Sequence, residues 1–199
     1  MTELEKMAKG YLWEDTEAYL EEQRIAKELM YDFNQSRPSE GEKRKKIAKQ
    51  LFGYVGEDVF IQQPITIARG KTVTIGDGTY INSNLMLVDD YHITIGKNCL
   101  IAPNVSITTT GHPVDPELRA KKMYSFPVTI ENNVWIGMGA IILPGVTIGE
   151  NSIIGAGSVV TKDIPANVIA FGSPCKVWRA IDERDKEYYY RNLRLDEQL

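Results

Sequence analysis

From Val55 onward, aliphatic residues return at every sixth position, a period that fits neither a 3.6-residue helix nor an alternating strand. They stand at Val55, Ile61, Ile67 and Val73, shift by two residues to Ile75, Ile81 and Leu87, and continue at Ile95, Ile101 and Ile107. After a break they resume at Ile130, Ile136, Ile142, Ile148, Ile154 and Val160, with glycine directly following at 137, 149 and 155. Such a repeat predicts short strands joined by tight turns, each contributing one inward aliphatic, with three repeats closing a triangular coil that pairs with its neighbours above and below. Gly and Asn at the corners supply positive φ. Roughly 90 residues of repeat at about 18 per coil give about five coils, stacked about 4.8 Å apart. The two-residue shift between Val73 and Ile75 is either a bulge or a longer corner. Residues 108–129 break the period and are expected outside the prism as an extruded loop.

The flanks read differently. Residues 1–53 are expected to form a helical extension, 54–179 the prism, and 180–199 a C-terminal helix and tail. Asp15 stands where it can cap a helix whose apolar residues Ala18, Ile25, Leu29 and Phe33 recur at helical spacing, ending near Asn34. Ser39 and Glu42 have capping-box spacing for a second helix, with Ile47, Ala48, Leu51 and Phe52 as its apolar stripe and Gly53 as its stop.

Composition narrows the function. The chain has 199 residues, 43% hydrophobic and 25% charged, which is enough for a buried core. Its net charge of −4 gives no global basic field, so nucleic acid is not an expected partner, and an anionic ligand needs a local group of cations. The charged opening MTELEKMAKG lacks the apolar core of a signal peptide, and no apolar run is long enough to span a bilayer. A cytoplasmic protein without a membrane partner is expected. Cys99 and Cys175 match neither a disulfide framework nor a C-x-x-C motif and read as small buried or semi-buried residues.

The extruded loop opens on Thr109-Thr110-Gly111-His112-Pro113 and carries one of the chain's two histidines. Imidazole titrates nearest to neutral pH of the side chains, which suits a general base; on position alone, an exposed histidine without a role is the competing reading. Late in the chain, Lys162, Lys176, Arg179 and Arg184 supply the local cations that an anionic ligand needs.

The stretches TGHPVDPELRAKKMYSFPVTIENNVWIG and LPGVTIGENSIIGAGSVVTKDIPANV resemble the galactoside and maltose O-acetyltransferases, enzymes built on hexapeptide repeats. The segments GYLWED, MYDFNQSRPSE and IDERDKEYYYRN are similar to the galactoside members in particular, so the likeness covers nearly the whole chain. It implies a mainly β fold, a parallel β-helix that winds left-handed against the usual right-handed preference for parallel crossovers. It implies that His112 removes a proton from a sugar hydroxyl, the 6-hydroxyl, which then attacks acetyl-CoA directly. Acceptor contacts are implied at Asp15, Tyr80, Asn82, Asp90 and Met123. The donor acetyl-CoA is implied to lie along Ala156, Thr161, Lys162, Lys176 and Arg179, with the Met138 backbone N–H facing the developing oxyanion. Lys176 replaces an arginine and loses the bidentate fork on phosphate. Where the galactoside enzymes place a serine against the sugar, this chain has Ala68, which neither donates nor accepts. The resemblance also implies a homotrimer with active sites between subunits.

Other readings of the same repeat stay in view. A zinc hydratase on this prism needs three histidines, and the chain has only His92 and His112, so no metal is expected. A non-catalytic binding module would not need the loop histidine or the late cations. Within acetyl transfer, the alternative acceptors are another oligosaccharide, an antibiotic or serine.

Overall fold

The computed structural model describes residues 1–195. Three helices open the chain: α1 (Glu3–Ala8), α2 (Glu17–Asn34) and α3 (Gly41–Leu51). The cap of α2 is Thr16, whose hydroxyl accepts from the Tyr19 N–H, rather than the neighbouring Asp15. The buried face of α2 is Tyr19, Ala26 and Phe33, flanked by Leu29 and Met30, whereas Ala18 and Ile25 point outward. The Ser39–Glu42 box does not form either: α3 starts after Glu40 without a side-chain cap, and Glu40 instead accepts from the Arg37 N–H. Its expected stripe of Ile47, Ala48, Leu51 and Phe52 is buried.

The six-residue period builds a triangular parallel β-helix. One face pairs Tyr54–Val55, Val73–Ile75, Ile93–Ile95, Val128–Ile130 and Thr147–Ile148. The second stacks Phe60–Ile61, Tyr80–Ile81, Leu100–Ile101, Trp135–Ile136 and Ile153–Ile154, then Val168–Gly172. The third holds Ile65–Thr66, Leu85–Val88, Ser106–Thr108, Ile141–Ile142 and Val159–Val160. That makes five complete coils and the start of a sixth. The register puts like on like: Ile61, Ile81, Ile101, Ile136 and Ile154 form one inward ladder, and Ile75, Ile95, Ile130 and Ile148 another. Each isoleucine withdrawn from water contributes roughly 1.5–3 kcal/mol.

Both ends of the prism are covered. At the first coil, the Asn34 side chain replaces a missing strand, its amide donating to the Ile65 carbonyl at 2.8 Å and accepting the Ile65 N–H at 2.9 Å. At the far end, Cys175–Ala180 turns back antiparallel on Val168–Gly172. The helix expected after residue 180 is a single turn, Arg184–Glu187, followed by a hairpin of Tyr188–Tyr190 with Leu193–Arg194. Aromatic side chains favour that extended state. Residues 196–199 of the expected tail lie outside the described residues.

The two-residue shift is a longer corner. Val73 and Ile75 both point inward from one strand, and the extra residues fall in the turn 68–72. A matching turn at 89–92 and the loop after Thr108 emerge from the same corner, between the third face of one coil and the first face of the next. Three departures from the repeat are thereby stacked on one edge of the prism.

Candidate active site

At this edge the loop leaves as a short antiparallel pair, Thr110–Gly111 with Tyr124–Ser125, and carries one helical turn, Pro116–Arg119, at its outer end. Gly111 is required by contact: a Cβ there would lie 2.4 Å from the Tyr124 hydroxyl. The next residue, His112, is exposed, and its Nδ1 lies 3.2 Å from the Lys122 carbonyl. A carbonyl only accepts, so this contact puts the proton of a neutral ring on Nδ1 and leaves the Nε2 lone pair free.

The N-terminal extension grips the loop. Trp13 and Met123 exchange backbone hydrogen bonds of 2.9 Å, Glu14 pairs with the Lys122 ammonium at 2.8 Å, and the buried Trp13 indole donates to the Ser125 hydroxyl at 2.9 Å. Asp15 follows directly and is exposed. Trp13 also meets the Tyr19 ring, with centroids 5.3 Å apart, and the Tyr19 hydroxyl donates to Asp90 Oδ1. Burial first, and then the Asp90 charge, push the Tyr19 phenol upward, so it remains a donor at every ordinary pH. The Asp90 Oδ2 has no partner among the described residues and is not sealed from solvent. Asp15, Asp90, Met123 and His112 therefore share one edge.

Below them, the turn 68–72 wraps a buried carboxylate. Asp89 accepts from the Ala68, Arg69 and Gly70 N–H groups and from the Thr72 hydroxyl, although burial still pushes it above the usual carboxylate range. Arg69, itself buried, pairs with Glu22 and donates to the Asp90 carbonyl at 3.0 Å. Ala68 is half-buried at the start of this turn.

Tyr80 and Asn82 are not brought to that edge. They lie on the second face and the corner beyond it, one corner away from His112. Tyr80 is exposed and stacks on Phe60, with centroids 5.0 Å apart. Asn82 Oδ1 accepts the Ser83 N–H, leaving the amide donors outward. Met138 and Ala156 occupy this same corner two and three coils further on: the Gly157 N–H donates to the Met138 carbonyl, and the Gly139 N–H to the Pro103 carbonyl. No acceptor among the described residues takes the Met138 N–H.

Thr161 and Lys162 are exposed on the corner that carries the loop, two coils later. Lys176 and Arg179 stand on the closing strand. Arg179 is held by a bidentate pair with Asp185, both contacts 2.6 Å, which brings that carboxyl down to about 2. Lys162 and Lys176 have no carboxylate partner among the described residues, and Arg184 turns over the Tyr188 ring. Burial pushes both cysteine thiols up, away from thiolate chemistry. No cluster of three metal-ligating side chains occurs among the described residues, nor any helix long and apolar enough to cross a membrane. A cavity of about 300 Å³ between α3 and the first coil, floored by Phe33, Ala48, Val55 and Ile61, contains none of these candidate residues.

Trp13, Tyr19, Ser125 and Thr110 are the contributors that sequence reasoning missed. Their partners lie 71 to 112 residues away for the two aromatics, and no local pattern announces such pairings.

The model of the maltose acetyltransferase hexapeptide capping motif matches residues 6–56, and that of the bacterial transferase hexapeptide (six repeats) matches residues 127–162. Over 194 residues, 96% of each chain, the sequence is 53% identical to a galactoside O-acetyltransferase of Escherichia coli K12. Among solved structures, a galactoside acetyltransferase in complex with coenzyme A superposes with a TM-score of 0.95 at 50% identity, covering 98% of both chains. A maltose O-acetyltransferase from Clostridium difficile 630 follows at 0.89 and 45%, covering 92% of this chain and 99% of that one. These likenesses give the prism its left-handed winding.

Proposed function

Because the chain belongs to the galactoside and maltose O-acetyltransferase family of hexapeptide-repeat acetyltransferases, we propose that it transfers acetyl from acetyl-CoA to the 6-hydroxyl of a galactoside, maltose or related sugar, with His112 as general base. The observation that carries this reading is the contact between His112 Nδ1 and the Lys122 carbonyl, which leaves Nε2 as the proton acceptor. Nε2 takes the hydroxyl proton as the sugar oxygen attacks the thioester carbonyl carbon. The resulting oxyanion is met by the Met138 N–H, which no acceptor among the described residues takes. When the C–S bond breaks, the leaving thiolate takes the proton back from the imidazolium. The acetyl ester and free CoA depart, and His112 is neutral again.

Asp90 Oδ2, Asp15 and the Asn82 amide are suited to vicinal hydroxyls, and Tyr80 and Met123 to the C–H face of a pyranose. The donor runs along Met138, Ala156, Thr161 and Lys162 toward Lys176 and Arg179. Its phosphates meet two lysines that have no carboxylate partner among the described residues, and an arginine shared with Asp185. Since Asn82 and Met138 stand one corner from His112, a complete site requires a second prism, and the working enzyme is a homotrimer with its sites between subunits.

The test is release of free CoA thiol from acetyl-CoA in the presence of galactosides, glucosides, maltose, chitooligosaccharides or serine, with the product ester located by NMR. Release with a sugar and an ester on its 6-oxygen is expected. Release with serine alone, or with no acceptor at all, contradicts the proposal.

A further inference from the structure

The loop that carries His112 is exposed from Val114 to Lys121. Its other end is tied to the prism by hydroxyl groups with one common direction. The Trp13 indole N–H can only donate, so at 2.9 Å the Ser125 oxygen is its acceptor. The Ser125 proton is then available to Thr110 Oγ1, 2.7 Å away. Thr110 in turn faces Thr109 Oγ1 at 3.4 Å, and Thr109 donates to the Val88 carbonyl at 3.0 Å. With the Thr109 proton on the Val88 carbonyl, donation from Ser125 to Thr110 and from Thr110 to Thr109 gives every hydroxyl one acceptor, and hydrogen bonds aligned in one sense polarise each other. The chain passes through Thr110, two residues before His112, and through Ser125, three residues after Lys122, whose carbonyl orients the imidazole.

We infer that Trp13 and Ser125 are positioning residues for the general base: the Trp13 indole N–H, acting through the Ser125 hydroxyl, holds the His112 segment in register with the prism. This deepens the proposed transfer reaction and rests on it. Trp13 itself touches neither the imidazole nor any group assigned to the donor. Its effect therefore falls on the chemical step rather than on acetyl-CoA binding.

The experiment compares full-length Trp13→Phe, Ser125→Ala and the double variant with the parent, measuring kcat, KM for acetyl-CoA and thermal midpoint. Trp13→Phe keeps a buried ring and removes the donor; Ser125→Ala removes the relay with a smaller change of volume. Each single variant is expected to lower kcat about tenfold, with KM for acetyl-CoA unchanged within twofold, because a small misplacement of a reacting group is costly. The double variant loses no more than the worse single one, since both break one connection. A parental kcat in Ser125→Ala overturns the inference, as do losses that multiply in the double variant. Should Trp13→Phe fail to fold, Ser125→Ala decides alone, by a reduced or a parental kcat at an unchanged thermal midpoint. His112→Ala, assayed alongside, separates the two claims: parental turnover there removes the general base, whereas inactivity there with parental turnover in Ser125→Ala removes only the relay.

Discussion

His112 and Asp90 are fixed by partners that differ in kind. A carbonyl sets the imidazole tautomer, and a phenol takes one carboxylate oxygen while the other stays open. His112 was legible because the loop that breaks the six-residue period carries it. Asp90 was reached only by resemblance, and its partner Tyr19 lies 71 residues away, beyond any local pattern. Thr16 caps α2 in place of Asp15 because one residue of register decides which oxygen meets the free N–H groups, a distinction that composition does not encode. Ala68 opens the turn below Asp90 and brings no polar atom from its side chain. Restoring a hydroxyl there with Ala68→Ser should add one hydrogen bond to a galactoside, about 0.5–1.5 kcal/mol, and lower its KM roughly two- to tenfold. Steady-state kinetics with a galactoside and a glucoside checks this; equal gains for both sugars would show that position 68 does not discriminate.

Among the elements, the coils were the most legible, since every sixth position faces the axis and Ile136, Ile142, Ile148 and Ile154 are fully buried. The long corners were countable but not interpretable: the two extra residues after Ile67 show their purpose only when stacked beneath 89–92 and the loop. The C-terminal run, expected as a helix and tail, keeps one helical turn at Arg184–Glu187 before the strand of consecutive tyrosines, Tyr188–Tyr190, pairs with Leu193–Arg194. The coils also differ in how closely their backbones approach. At Gly137 a Cβ would sit 2.5 Å from the Ala156 nitrogen, whereas at Gly139, with φ of 69°, no heavy atom lies within 4 Å. Gly137→Ala should therefore cost about 3 kcal/mol, as backbone overpacking does, and Gly139→Ala only the roughly 1 kcal/mol of a left-handed conformation. Urea unfolding measures both, and equal losses would contradict this account of coil stacking.

For the whole molecule, two corners of one prism carry halves of the proposed site. Asn82 and Met138 stand on one, and His112 and Asp90 on the other. A trimer with shared sites predicts complementation: His112→Ala and Asn82→Ala, each impaired alone, should regain roughly a quarter of parental activity when their subunits are mixed by refolding, because random assembly leaves one site in four with both residues intact. No recovery would return the site to a single chain. The central claim is that His112 supplies the base for acetyl transfer, and the most direct measurement is the turnover of His112→Ala together with its affinity for acetyl-CoA. We predict parental acetyl-CoA binding with kcat at least about a hundredfold lower, the usual contribution of a general base. Turnover close to that of the parent would contradict it.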